Sequence, residues 1–157
     1  MKTNREILEF YLKPECIDQV FLCWNEPHRK FHTEEHLDQV LASLAVQKQQ
    51  FNIDETAWDA LVLCAYLHDI VYVPGEKNNE EQSWDKAHPW FRNPKGALIP
   101  LVKDLILSTK SISGKKTGLQ QIFENADCWG LIHWNFDQIL RYEEKIFQEF
   151  QRFPFDK

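Results

Sequence analysis

The sequence predicts an all-α fold, a single-domain bundle of seven or eight helices. Two observations carry that expectation. Apolar residues recur at three- and four-residue spacing in one segment after another, with no sustained period-two run, internal repeat or low-complexity tract between them. Only 5 of the 157 residues are glycine, too few for a turn-rich β fold, while 43% are hydrophobic and 13% aromatic, enough for a packed interior. The length suits one domain, residues 1–157 with a core at about 20–150.

Ile7, Leu8, Tyr11 and Leu12 mark a short amphipathic helix over 4–12, which must stop before Pro14 because a proline disfavours helical geometry in the residue preceding it. Pro14 suits the first turn of a second helix, which carries Ile17, Val20, Phe21 and Trp24 and ends near Pro27. Thr33 is a candidate N-cap, with Glu34 and Glu35 at the positive end of the helix dipole and Leu37, Val40, Leu41, Leu44 and Val46 as the core stripe. Asp54 caps the next helix, which is apolar on nearly every side through Leu67 and is therefore expected at the centre, with His68-Asp69 in its last turns. A loop at 73–79 leads to an acidic helix start at Glu80-Glu81, and 88–96 reads as a break. Helical patterns then cover 97–108, 119–132 and 136–150, with a polar loop at 111–118.

Composition excludes several function classes. A net charge of -6 gives no electrostatic footprint for a nucleic-acid backbone. The four cysteines, Cys16, Cys23, Cys64 and Cys128, have no C-x-x-C spacing and fit a reducing compartment. No signal-like segment or membrane-spanning stretch is legible, so the expected location is the cytoplasm. Glu-x-x-His pairs of a di-iron bundle, H-E-x-x-H of a zinc protease and G-x-S-x-G of a serine hydrolase are all absent.

The most informative feature is the adjacent pair His68-Asp69 at the end of an apolar run, because a buried charge is costly unless it is paired or bound to a metal. Imidazole with carboxylate suits first-row divalent ions. Further candidates for the same centre are His32 and His36 at the start of the third helix and Asp127 among core-facing residues downstream.

Three linked segments give this set a recognisable form: Arg29-Lys-Phe-His-Thr-Glu-Glu-His-Leu37, Leu67-His-Asp-Ile-Val-Tyr72 and Asn79-Glu-Glu-Gln-Ser83, with Ala126-Asp127 following. In them the chain resembles the HD-domain superfamily of metal-dependent phosphohydrolases, most closely a small bacterial branch described as predicted HD phosphohydrolases, over about residues 20 to 150. The resemblance implies an all-α fold with His36, His68, Asp69 and Asp127 as ligands of one divalent metal ion, from among Mn, Fe, Co, Ni, Zn and Mg. Two departures stand out. Asn125 replaces the first acid of the branch's Asp-Ala-Asp pattern, and Ser108-Thr109-Lys110-Ser111 lacks the histidine that the branch carries after an Ala-Thr pair, which argues against a second metal.

The expected chemistry is attack of water on a small phosphoester, a nucleotide being one candidate. Asp69 is a candidate for orienting the water, and Glu80 or Glu81 for acid or base duty. Arg29, His32, Lys77 and Lys110 are candidates for substrate binding, and Trp84 or Trp90 for stacking on a base. The alternative is a catalytically reduced HD-fold module that binds metal or nucleotide for regulation. Neither polymeric nucleic acid nor a membrane is an expected partner, while a homo-oligomer is compatible with the sequence.

Overall fold

The computed structural model describes residues 2–111 and 114–151. Residue 1, residues 112 and 113 of the polar loop and residues 152–157 of the expected domain lie outside them. The described residues are all-helical: α1 (Asn4–Tyr11), α2 (Pro14–Trp24), α3 (Glu34–Phe51), α4 (Glu55–Leu67), α5 (Asn79–Ala87), a 3-10 turn (His88–Trp90), α6 (Ile99–Ser108), α7 (Gly118–Asp127), α8 (Trp129–His133) and α9 (Phe136–Phe150). No described helix is long and apolar enough to cross a membrane.

α4 is the central element, as its all-round apolarity requires: each residue from Ala57 to Leu67 is buried. It packs against α1, α3, α5, α6 and α7. The buried apolar side chains form one cluster, reaching from Ile7 and Leu8 through α4 to Phe123 and Ala126. Asp54 caps α4 by accepting from the backbone N–H of Ala57 at 2.9 Å. Thr33 holds the N-cap position of α3 by its backbone, but its hydroxyl makes no cap bond and donates instead to the carbonyl of Phe31 at 3.4 Å.

Two boundaries differ from the sequence expectation. The single helix expected over 119–132 is broken at Cys128 (φ -88, ψ 7) into α7 and α8, which brings the α-helices among the described residues to nine, against the seven or eight expected. Past the break the ring of Trp134 lies on Gly130 so closely that a β-carbon there would sit 2.2 Å from it. The second difference is at α4, which ends at Leu67. His68 is its C-cap and Asp69 lies beyond it.

α9 is attached in an unusual way. Its apolar residues Phe136, Leu140 and Phe147 are exposed, and its one fully buried side chain is the carboxylate of Glu149.

Candidate functional site

A helix end leaves its last carbonyls without partners. At the end of α4 the ring of His68 fills that role for Ala65, with Nδ1 3.0 Å from its carbonyl oxygen, and also lies 3.2 Å from the carbonyl oxygen of Cys64, which accepts from the backbone N–H of His68 at 2.9 Å. Carbonyls only accept, so Nδ1 carries the proton and Nε2 is turned the other way. There Nε2 is buried without a hydrogen-bond partner. Asp69 Oδ2 at 3.4 Å and Asp127 Oδ1 at 3.5 Å face it, beyond the length of a good charge-assisted hydrogen bond.

His36, in the first turn of α3, places its Nε2 3.0 Å from the same Asp127 Oδ1. Donor atoms of His36, His68 and Asp69 lie within 4.8 Å of one another. Asp127, the last residue of α7, stands outside that mutually close set but contacts both imidazoles. The two rings are walled by Trp24, 5.6 Å from His68 between centroids, by Phe123 at 5.3 Å from His68 and by Phe31 at 4.8 Å from His36. The histidine side chains are 4% and 1% exposed and the carboxylates of Asp69 and Asp127 17% and 26%, so the cluster opens to solvent on its acidic side.

Burial opposes charge on His68, but Asp69 and Asp127 more than offset it and push its pKa up to about 9. Burial would also raise Asp127, yet the hydrogen bond of His36 and the charges of His36 and His68 hold it well below the usual carboxylate range. Such a group can hold a proton, or a cation in the proton's place.

The loop before α3 is fixed by a residue far away in sequence. Oε1 of Glu149 accepts from the successive backbone N–H groups of Lys30, Phe31 and His32 at 2.7, 2.8 and 3.0 Å, and Oε2 lies 2.9 Å from Nδ1 of His32. His32 in turn stacks on Tyr72 with centroids 3.8 Å apart. His32 thus forms a wall beside His36, 5.8 Å from it between ring centroids.

Several sequence expectations need correction. Arg29 is not available to a phosphate: its side chain is fully buried, bonded to Glu26 and donating to the carbonyl oxygens of Asp69 at 2.7 Å and His32 at 3.3 Å. It is a tie that holds the backbone of the dyad. Lys110 is paired with Glu81, which lowers that carboxyl and commits both groups to each other. Lys77 is exposed in its loop and lines neither cavity beside the cluster. Trp84 packs on His88 and Phe91, again away from both cavities. Glu80 also lines neither cavity; burial first, then the charges of Asp69 and Glu81, raise its pKa.

The residues that do line the open side, Phe31, Trp134 and Tyr142, were not singled out by the sequence. The one local cue was Gly130, an isolated glycine inside a helical pattern, which often marks a close approach. Comparisons with protein-family models, curated proteins and solved structures return no match for this chain.

Proposed function

We propose that the protein is a metal-dependent phosphohydrolase of the HD type, acting in the cytoplasm on a small phosphoester, with one divalent ion held by His36, His68, Asp69 and Asp127. The observation that supports this reading best is Nε2 of His68, a buried ring nitrogen with no hydrogen-bond partner, aimed at two carboxylates while Nδ1 is anchored on backbone carbonyls. Metal-ligating histidines characteristically donate their other N–H in this way. Nitrogen and oxygen donors suit Mn, Fe, Co, Ni or Zn, and the carboxylates admit Mg. A divalent ion bound there would supply Lewis acidity toward a phosphoryl oxygen and a lowered pKa for water.

The chain's own groups then have separable tasks. Asp69, partly open to solvent, orients the attacking water and accepts its proton as the new O–P bond forms. Glu80, whose pKa burial and the charge of Asp69 raise, is the acid assigned to donate a proton to the leaving oxygen as the old P–O bond breaks. A second ion finds no support at 108–110, where Ser108 and Thr109 donate to the carbonyls of Leu105 and Ile106 and Lys110 meets Glu81. Asn125 accepts from Gln121 on its own helix at 3.1 Å.

The test is metal analysis of protein reconstituted with each ion, followed by a phosphate-release screen over nucleotides and general phosphoesters. One ion per chain and metal-dependent release are expected, with both lost in His68→Ala and Asp69→Ala. Absence of bound metal overturns the ligand assignment. Loaded protein that binds a nucleotide but never releases phosphate overturns the enzyme reading in favour of a regulatory binding module.

A further inference from the structure

Two cavities, of about 290 and 170 Å³, adjoin the cluster and share Phe31, His36, Gln39, Trp134 and Tyr142. The shared side chains are a common wall: the smaller cavity begins at Asp69 and Asp127 and the larger opens between the start of α3 and α9, the two together forming a two-part recess. Its inner wall is aromatic. Phe31 meets Tyr142 at 4.7 Å and 81° and Trp134 at 6.1 Å and 89°, while Trp134 and Tyr142 lie 5.7 Å apart at 48°. Rings meeting at such angles form a corner and do not stack on one another; one face of Trp134 rests on Gly130, and the three rings line both cavities.

The outer end is polar. Lys145 there is neutralised by Glu35 at 2.9 Å, whereas Arg141 makes no ion pair among the described residues. Gln39 contributes a side-chain amide. The carbonyl of Gln138 is engaged by the N–H of Asn135 at 3.0 Å, which leaves its NH₂ as a donor. An apolar aryl group would gain nothing from this end, but a ring with hydrogen-bond acceptors on its edge would be held on both face and edge.

We infer that this recess is the leaving-group subsite and takes a heteroaromatic ring of nucleobase type, with Trp134 and Tyr142 meeting its face and Arg141 its edge. The inference rests on the phosphohydrolase reading for the position of the phosphate at the cluster. The ring itself is recognised without any metal, and that separates the two claims.

The experiment is a ligand-detected NMR titration of protein held in chelator, using adenosine, guanosine, cytidine and uridine 5′-monophosphates one at a time, with ribose 5-phosphate as the ring-less control. Phosphate repulsion by Asp69 and Asp127 is the same for every probe, so the ratio isolates the ring. At least one nucleotide should bind about tenfold more tightly than ribose 5-phosphate, as expected for one stacked base. Trp134→Leu and Arg141→Gln should each erase most of that preference. Four nucleotides binding no better than ribose 5-phosphate overturns the subsite. So does an unchanged preference in Arg141→Gln, an exposed position that decides alone if Trp134→Leu fails to fold. Failure to retain metal in unchelated protein overturns the phosphohydrolase reading and leaves the ring measurement standing.

Discussion

Glu149 is the side chain whose removal should be felt most widely. It joins α9 to the loop carrying Phe31 and His32, and it does so as a buried charge with four contacts: three backbone N–H groups and one imidazole. Burial would raise its pKa, but His32 and the backbone N–H groups of Lys30 and Phe31 win and bring it from 4.5 down to about 2. That difference corresponds to about 3.4 kcal/mol of native-state stabilisation at neutral pH. Glu149→Ala also removes the acceptor of three partly buried backbone donors, so a loss of about 3–5 kcal/mol is expected. Glu149→Gln keeps a neutral acceptor for the N–H groups but loses the ionisation-linked part, about 3 kcal/mol. Urea titration at pH 7 measures both.

The folded pKa is depressed, so this stabilisation is complete above about 4.5 and disappears as pH falls through about 2. By pH 3.5 the contribution should have dropped from about 3.4 to about 2.0 kcal/mol, and the wild type's advantage over the non-titrating Gln variant should shrink accordingly. Variants within about 0.5 kcal/mol of wild type at pH 7, or a gap that does not narrow with acid, would refute the reasoning.

Two other perturbations probe the frame of the site. Arg29→Met removes the donor to the carbonyl oxygens of Asp69 and His32, which are partly buried. A loss of about 2–4 kcal/mol in thermal or urea unfolding is expected, together with weaker metal retention, and Arg29→Lys should recover only part of it because an ammonium lacks the guanidinium fork. Gly130→Ala places a β-carbon 2.2 Å from the ring of Trp134, so the indole must move. Calorimetric unfolding should show a loss of about 1–3 kcal/mol, with a shift in tryptophan emission as Trp134 leaves its place.

The parts of this molecule that the sequence revealed are those encoded over one helix turn or one motif. The all-round apolarity of 57–67 marks a central helix, Asp54 marks its cap, and Pro14 marks the start of α2. His68-Asp69 is visible because an imidazole beside a carboxylate is anomalous in such a run. Glu149 lies 117 residues from His32, and on the sequence it is one more acid on an amphipathic helix, indistinguishable from Glu143 or Glu144 on the solvated face. Arg29 and Lys110 show the converse problem. A positive charge is legible, but whether it is free for a ligand depends on carboxylates and carbonyls that only the fold brings near.

The end of α4 explains why the dyad can be both structural and chemical. Had the helix continued through His68, the carbonyl of Ala65 would have been taken by the backbone N–H of Asp69, leaving the ring only the carbonyl of Cys64, which already accepts from the backbone N–H of His68 at 2.9 Å. Because α4 stops at Leu67, the imidazole terminates the helix with one nitrogen and presents the other to Asp69 and Asp127. The termination also frees Asp69 from the helix, so that Arg29 can grip its carbonyl while its carboxylate stays partly open to solvent. One chain break thus sets the tautomer of His68, the placement of its neighbour and the open side of the cluster. Extending α4 by one turn should dismantle all three together.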